Sequence, residues 1–279
     1  MTNVAALWQY PVKSMVGHEV GEVSLDTTGM VGDRVWAVRD EERGGIRGGR
    51  KIPSLMRLSA RPVDGHHVEI SSPAGDTVRS DDADVDSRLS ALLDHRVTLC
   101  PIRPADDLDH YRRGRGDSDD IITELRAIFG REDDEPLPDL SIFPPALAEF
   151  ETPPGTYLDA FPLMLMSTSA LRAMADALPH SRIDVRRFRP NLVLDTSDAA
   201  GHPEFGWVGQ RWRIGAAEVD IVERCPRCVM VTQQVAGDLP PDRSVLRHIV
   251  RDLGQNVGVY ARVATPGPVR RGDTAERIG

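Results

Sequence analysis

Two of the three cysteines in this 279-residue chain stand three residues apart, in the run Cys225-Pro-Arg-Cys228. Cysteines at this spacing are typical either of half a zinc site or of a redox dithiol. A closed zinc site needs four ligands, but Cys100 stands alone and the histidines are scattered singly apart from His66-His67. The sequence therefore disfavours a closed zinc site.

The residues around the two cysteines indicate what else the pair could be. A redox dithiol opens a helix, whose N-terminus lowers the thiol pKa, whereas the β-branched, apolar run Val229-Met-Val-Thr232 predicts a strand. Two buried, inert cysteines at a turn remain an alternative. Arg227 favours a reactive role, because a neighbouring cation favours thiolate, the form that binds metals and acts as a nucleophile. One such thiolate can ligate a metal that a cofactor already holds through its other positions.

Two further stretches carry groups that bind anions. Arg189 and Asn191 flank a proline: arginine offers a two-pronged donor for phosphate or carboxylate, and asparagine can pair with the amide-like edge of a heterocycle. In Tyr10-Pro-Val-Lys-Ser14 a lysine and a serine end a predicted strand, and Arg34 begins another. For both stretches the alternative is an ordinary solvated surface.

The composition limits the classes of partner. Acidic residues outnumber basic ones by 43 to 34, which gives a formal charge of −9. Such a chain is poorly suited to nucleic acid or an anionic membrane surface, although one basic pocket stays compatible with it. No apolar run approaches the roughly 18–20 residues that span a bilayer, and the first residues lack a signal-peptide pattern. We therefore predict no nucleic-acid partner, no membrane span and a cytoplasmic location, where cysteines stay reduced.

The elements that must position these residues are mostly strands. Residues 1 to about 100 read as short strands separated by Gly, Asp and Pro turns, with one helix near 86–94. Residues 42–50, rich in Gly and Arg, predict a flexible loop. The predicted strands of this half are 4–12, 20–25, 34–39, 67–70 and 97–100.

The rest of the chain mixes helices and strands. A charged linker over 103–120 precedes an amphipathic helix over 119–129, whose apolar face includes Ile121, Ile122 and Phe129 and which Gly130 ends. Later helices begin after Ser167 and at Asp242. The predicted strands of this half are 189–194, 210–222, 229–234 and 257–263, followed by a hairpin over 267–273. The fold class predicted from this pattern is α+β, mostly β, built on a barrel.

Together, five motifs in this order resemble the MOSC family, and within it the two-domain members of the amidoxime-reducing type. The resemblance implies a MOSC-type β-barrel with peripheral helices and a smaller N-terminal β domain. The change in sequence pattern over 101–135 sets the boundary, so we predict the N-terminal domain at 1–105, a linker or helical insert at 106–135 and the barrel domain at 136–279. The matching motifs are Tyr10-Pro-Val-Lys-Ser14, Gly32-Asp-Arg34, Asp159-Ala-Phe-Pro162, Arg187-Phe-Arg-Pro-Asn191 and Cys225-Pro-Arg-Cys228.

The same resemblance implies a molybdenum cofactor, a molybdopterin that lies between the two domains. Cys228 would be the molybdenum ligand and the catalytic residue, with Arg227 beside it. The residues matching those that hold the pterin and its phosphate are Lys13, Ser14, Arg34, Asp159, Arg189 and Asn191.

The implied reaction is the two-electron reduction of a small N-hydroxylated or other oxygen-bearing substrate. The cysteines in the sequence do not make up the four-cysteine set of an iron–sulfur cluster. We therefore expect a separate electron-transfer protein, of ferredoxin or flavin type. Two alternatives remain open: a sulfur carrier or sulfurtransferase with a persulfide on Cys228, and a non-catalytic protein that binds the molybdenum cofactor.

Overall fold

Short strands build the first hundred residues of the computed structural model, which describes residues 2–279. The helix α1 (Val85–Leu93) is the helix predicted near 86–94. Two three-stranded sheets, ordered β10-β5-β6 and β7-β8-β9, lie in this half. The strands are β1 (Thr2–Gln9), β2 (His18–Val20), β3 (Glu22–Asp26), β4 (Gly29–Met30), β5 (Trp36–Asp40), β6 (Ile46–Arg47), β7 (Ser59–Asp64), β8 (His67–Ser71), β9 (Thr77–Arg79) and β10 (Val97–Pro101).

The middle segment holds two helices, α2 (Leu108–Tyr111) and α3 (Ile121–Phe129). As predicted, α3 ends at Gly130, which adopts a left-handed φ of 62°. The predicted apolar face is wrong in part, because Ile121 and Ile122 are 64% and 49% exposed while Phe129 is buried. The helix thus packs on the body of the protein through its C-terminal end.

The last 120 residues hold the remaining elements. Ser167 and Asp242 cap the two helices as predicted, since their side chains accept hydrogen bonds from Ala170 N and Ser244 N. The elements are β11 (Leu163–Ser167), α4 (Thr168–Ala177), β12 (Leu192–Asp195), β13 (Arg211–Ile214), β14 (Ala217–Pro226), α5 (Arg243–Asp252), β15 (Asn256–Thr265), β16 (Gly267–Arg270) and β17 (Thr274–Arg277).

Two strand predictions in this half are wrong. The single strand predicted over 210–222 is a hairpin of β13 and β14 that turns at Gly215, where φ is 57°. The strand predicted over 229–234 is a 3₁₀ helix, Val229–Thr232. Here the buried guanidinium of Arg187 donates to the backbone oxygens of Val231 and Gln233, at 3.4 and 3.1 Å. These long-range hydrogen bonds occupy backbone carbonyl groups that, in a strand, would accept hydrogen bonds from a neighbouring strand.

Seven of the strands in residues 2–279 close into a barrel, in the order β12-β11-β15-β14-β13-β17-β1 and back to β12. The interior holds a single apolar cluster to which β1 contributes Val4 and Leu7 and β11 contributes Leu163 and Leu165. The predicted fold class, a mostly β barrel with peripheral helices, is confirmed. The first strand of the chain lies in the barrel beside C-terminal strands, while the domain limits at 105 and 135 stay a prediction. Within residues 2–279, no helix combines the length and the apolar character needed to cross a bilayer.

Candidate functional site

A cleft on the outer face of β11, β14 and β15 gathers residues from several motifs. Side chains alternate between the two faces of a strand, so Leu163 and Leu165 fill the barrel while Met164 faces the cleft. On β15, Val259 and Ala261 point inward and Tyr260 lines the cleft. The predicted residues that line it are Arg34, Asp159, Arg189, Asn191, Arg227 and Cys228.

The two cysteines of the motif occupy different environments, and both thiols are free. Cys225 is 2% exposed and packs in an apolar cluster. Burial raises the pKa of the Cys225 thiol, although the nearby Arg227 charge opposes this effect. Both cysteines contribute to the lining of the cleft, but Cys228 is only half-buried. Of the two sulfurs, Cys228 is therefore the one placed to meet a ligand.

Arg227 lies beside Cys225 and is fixed by short contacts. Its Nη1 donates to Cys225 Sγ at 2.9 Å and its Nη2 donates to the Phe188 oxygen at 2.7 Å. The residue is 9% exposed, yet its Nε has no hydrogen-bond partner. Cys225 thus has an identifiable role in this structure, which is to hold the guanidinium next to Cys228.

Arg189 is a second buried cation with spare donor capacity. It is 8% exposed, its Nη1 donates to the Met15 oxygen, and its guanidinium lies 4.3 Å from the centre of the Tyr10 ring. Its Nη2 has no partner. Burial lowers the pKa of Arg189 to about 10, and the neighbouring Arg34 charge acts in the same direction. A buried cation without a close counter-charge is costly, so the environment favours an anionic ligand.

Asp159 is the acidic residue in the lining of the cleft, and two cations hold it. Lys13 Nζ lies 2.5 Å and Arg50 Nη2 lies 3.1 Å from Asp159 Oδ1. Burial alone would raise the pKa of Asp159, but the charges of Lys13 and Arg50 outweigh it and keep this pKa well below its usual range. Lys13, which is 1% exposed and also donates to the Tyr157 oxygen at 3.1 Å, lies behind the cleft and positions this carboxylate.

Asn191 and Arg34 are linked through Asp33, which stands in the Gly32-Asp-Arg34 motif but was assigned no role from the sequence. Asp33 accepts from Asn191 Nδ2 at 3.1 Å, from Tyr10 N at 2.6 Å and from Arg34 Nη1. The other end of the Asn191 amide, Oδ1, accepts from Met164 N at 3.2 Å. Asn191 therefore links the start of β12 to β11 and to Asp33. Its predicted pairing with a heterocycle can use only the donor and acceptor positions of the amide that these two hydrogen bonds leave unused.

Backbone strain coincides with the predicted site. Ser14, Arg34 and Arg189 have φ values of 67°, 50° and 59°, and they are three of the six non-glycine residues with positive φ within 2–279. This left-handed region is uncommon for residues with a side chain, and such strain is concentrated at functional sites. Ser14 is buried at 3% exposure behind the lining of the cleft.

The Gly/Arg segment at 42–50 is not the flexible loop that was predicted. Ile46 and Arg47 form β6 and are buried, and Arg47 pairs with Asp40 at 3.3 Å. Gly48 passes so close to Ser14 that an added Cβ would lie 2.8 Å from its Oγ. This close approach carries Arg50 into the cleft. The glycines beside an arginine were the available signal, because only a residue without a side chain permits such an approach.

The middle segment, predicted as a linker and a helix, also reaches the cleft. Phe129 and Phe143 line it. Arg131, which is 6% exposed, donates from Nη2 to the Arg227 oxygen at 3.1 Å and from Nε to Gln255 Oε1 at 3.0 Å. No sequence motif marked these three residues. Their roles depend on contacts with residues far away in the chain.

The described side chains supply no complete metal site of their own. Within residues 2–279, no group of three or more His, Cys, Asp and Glu side chains is placed to hold a metal ion. The cleft instead combines one accessible thiol with several guanidinium groups. Chemically, it can bind a polyanionic molecule and offer that molecule a single sulfur ligand.

Two family models match this chain. The model described as the MOSC N-terminal beta barrel domain matches residues 1–100, and the MOSC domain matches residues 153–276. Both intervals contain residues of the cleft. Residues 101–152, which hold α2, α3, Phe129 and Phe143, lie outside both models.

Individual relatives and a solved structure are also similar to this chain. Mitochondrial amidoxime reducing component 2 from Bos taurus is 25% identical over 253 residues, which cover 88% of this chain and 68% of the relative. Mitochondrial amidoxime-reducing component 1 from Mus musculus is 23% identical, over 99% of this chain and 82% of the relative. The YUAD protein from Bacillus subtilis aligns with a TM-score of 0.42 at 12% identity, over 99% of this chain and 94% of that one. The chain belongs to the MOSC domain family, with a MOSC N-terminal beta barrel domain followed by a MOSC domain.

Proposed function

We propose that this protein is a molybdenum-cofactor-dependent reductase of small N-hydroxylated or related oxygen-bearing compounds. One observation carries the proposal: the accessible thiol of Cys228 shares a cleft with two buried guanidinium groups, Arg189 and Arg227, that retain unpartnered N–H groups. Thiolates suit soft metal coordination, and buried guanidinium groups suit phosphate. The relatives named as amidoxime-reducing components support the choice of reaction.

The residues of the cleft fit the chemistry of a molybdopterin. Its phosphate would be held by the cations Arg34, Arg50 and Arg189, of which Arg189 has a free Nη2. The N–H groups of the pterin ring would find an acceptor in Asp159, whose side chain is 43% exposed although two cations hold it. Cys228 would supply the sulfur ligand to the metal.

The reaction divides between the cofactor and the chain. When bound, the cofactor supplies the two-electron change and takes the oxygen atom of the substrate. The chain contributes the Cys228 ligand, with the buried Arg227 as its neighbour in the lining of the cleft. The chain also fixes Arg227 through contacts with Cys225 and Phe188. It keeps the Asp159 carboxylate ionised through the charges of Lys13 and Arg50.

Electrons for each turnover would come from a separate protein of ferredoxin or flavin type. The three cysteines of the sequence are split between Cys100 and the Cys225/Cys228 pair, so they do not form a four-cysteine cluster site. The substrate would be a small molecule that enters the same cleft as the cofactor.

The test is to produce the protein in a host that makes molybdopterin and to measure two quantities. These are the molybdenum content of the purified protein and the reduction of an amidoxime with a reduced viologen dye as electron donor. We expect bound molybdenum and turnover, and the loss of both when Cys228 is replaced by alanine.

Two different results would contradict the proposal, and each would favour a different function. Protein without molybdenum, with the mass of one additional sulfur on Cys228, would indicate a sulfur carrier or sulfurtransferase. Protein that retains the cofactor but reduces no N-hydroxylated compound would indicate a non-catalytic cofactor-binding role.

A further inference from the structure

Residues 101–152, which lie outside both family models and are called the insert from here on, extend beyond the linker predicted at 106–135 and supply an aromatic wall to the cleft. Phe129 ends α3, and Phe143 follows a short 3₁₀ turn at Leu140–Ile142. Their ring centroids are 6.4 Å apart and their planes differ by 27°, which is an offset stack. Phe129 is 6% exposed and Phe143 is partly buried, and both contact the cleft.

This wall is fastened next to Cys228. Gly130, directly after Phe129, lies so close to Val229 that an added Cβ would be 3.2 Å from the Val229 Cβ. Arg131 then donates to the Arg227 oxygen at 3.1 Å. The two residues that follow Phe129 thus contact the neighbours of Cys228 on both sides.

The part of the insert that precedes Phe129 is fastened to the segment that carries Arg50. Lys51 Nζ lies 2.9 Å from Asp117 Oδ2 and also pairs with Glu124 on α3. Both the Lys51 and Glu124 side chains are largely buried, at 11% and 13% exposure. The insert is therefore held both at the cationic part of the cleft and next to the thiol, and these contacts fix the position of Phe129 in the wall.

The chemistry of this wall differs from that of the cationic part. Phe129 and Phe143 present ring surface and carry no group that could bind a phosphate or a metal. A second stacked pair, Phe161 and Tyr260, lines the same cleft with centroids 4.7 Å apart. Ring surfaces of this kind gain most by packing against another flat, apolar ring.

We propose that Phe129 and Phe143 determine substrate specificity, so that the cleft prefers compounds whose N-hydroxyl group is attached to a flat aromatic or heteroaromatic body. This inference rests on the proposed reductase function. It assigns the insert a task that the cofactor-binding residues do not perform, which is to hold the organic part of the substrate beside Cys228.

The experiment compares two amidoximes that share a reacting group and differ in the attached body, benzamidoxime and acetamidoxime. The cofactor-loaded full chain is tested unaltered and as Phe143→Leu and Phe129→Leu, which keep apolar volume but remove the ring. We expect kcat/KM for benzamidoxime to fall about three- to tenfold, mainly through KM, because a ring contact is lost. For acetamidoxime we expect a change below about twofold, since its methyl group makes little use of a ring face.

Two matched variants control for lost packing. Phe150→Leu alters a phenylalanine that is 8% exposed, belongs to the same insert and packs with Tyr111 and Tyr157 away from the cleft lining. Phe205→Leu alters a partly buried phenylalanine that packs on the barrel core. Neither control should change the ratio of the two kcat/KM values.

A binding measurement separates failure of this inference from failure of the proposed function. The dissociation constants of benzamidine and acetamidine, the corresponding reduction products, are measured by calorimetry on the same proteins. We expect benzamidine to bind more weakly to Phe143→Leu and Phe129→Leu than to the unaltered protein and the two controls. If both amidoximes are reduced but the variants change the two kcat/KM values equally or not at all, the inference is wrong and the proposed function stands.

If the unaltered protein reduces neither amidoxime, the proposed function is wrong. Equal binding of benzamidine by all five proteins would then overturn the inference as well.

Discussion

The two sides of the cleft are built by different means. The side that lies within the family-matched intervals carries Arg34, Arg189 and Arg227, set by left-handed backbone or by buried hydrogen bonds. The side supplied by the insert carries two stacked phenylalanines. The first holds charge that its own contacts leave partly unsatisfied, whereas the second is satisfied by packing alone.

This difference indicates which side needs a permanent ligand. A buried guanidinium with a free N–H group is stabilised when an anion binds it, so the cationic side is suited to a cofactor that stays bound. A phenylalanine ring has no charge and no hydrogen-bonding group that must be satisfied, so it can face the cleft without a bound ligand. The aromatic side is therefore suited to a substrate that comes and goes.

The largest expected effect distinguishes the two cysteines of the cationic side. Cys228→Ala removes the proposed metal ligand, so molybdenum content and amidoxime reduction should fall by more than the roughly 10–100-fold typical of losing an outer contact to a metal ligand. Cys225→Ala removes only the sulfur that accepts from Arg227, and its effect should stay within or below that range. Metal analysis and turnover assays on both variants provide the check, and a reversed order would refute the assignment of Cys228.

The next effect tests whether the spare donors of the cationic side bind an anion. Arg189→Met should weaken cofactor binding about 10- to 100-fold, the range of one or two lost hydrogen bonds to a charged group. Cofactor retention after dialysis measures this loss. Arg271→Met, whose side chain is 65% exposed, is the matched control and should retain the cofactor. Equal retention by both variants would remove Arg189 from the site.

A smaller effect concerns the attachment of the insert. Arg131→Met leaves the Gln255 amide oxygen and the Arg227 oxygen without this donor, which should lower the free energy of unfolding by about 1–3 kcal/mol. Hydrogen exchange over residues 121–150 should quicken in the same variant. Arg126→Met is the control, because Arg126 bonds only to Glu132 and Glu135 within the insert. Faster exchange in the control than in Arg131→Met would contradict the proposed attachment.

The smallest effect is the acid response of Asp159. Lys13 and Arg50 hold its folded-state pKa below the unfolded value of about 3.9. The ion pairs therefore contribute stability at pH values above about 4, and this contribution is lost as the pH falls below that value. Because the Asp159 side chain is 43% exposed, we expect less than about 1 kcal/mol.

Urea titrations of the unaltered protein and Asp159→Asn at several pH values measure this contribution. The gap in unfolding free energy between the two should narrow below about pH 4. Asp176→Asn, at an exposed position on α4, should show no such narrowing. A gap that stays constant down to pH 2 would mean that the carboxylate charge contributes no stability.

Part of this site could be predicted from the sequence, because the chemistry of several residues is visible in their types and spacing. Cys228 and Arg189 were singled out by residue type and spacing, Asp159 was implied by the family resemblance, and the structure brings all three to one cleft. The contacts of Asp33 and Arg50 were missed, since their partners Asn191 and Asp159 lie 158 and 109 residues away. Phe143 was missed for the same reason, as an aromatic residue in a Pro-rich tract shows no local sign of what it contacts.

The secondary-structure predictions show the same difference between local and long-range interactions. The caps at Ser167 and Asp242 and the left-handed stop at Gly130 are local hydrogen-bonding or backbone effects, and the sequence predicts them correctly. The run Val229–Thr232 has the composition of a strand but forms a 3₁₀ helix, because Arg187 binds the carbonyls of Val231 and Gln233. The composition of this run indicates only its local preference for a strand, and here the hydrogen bonds from a buried arginine of a distant segment outweigh that preference.

The sequence by itself determined which groups could react and bind: a thiol flanked by arginine, cations that suit a phosphate, and short alternating strands that must bury one face. These follow from residue type and from interactions within a few positions of the chain. Only the tertiary structure decided that Cys225 is buried against Arg227, that Arg189 and Arg227 keep unpartnered donors, and that the insert faces the cleft with aromatic rings. The burial and the hydrogen-bond partners of these side chains depend on which distant segments lie next to each other, and closure of the barrel determines which segments do.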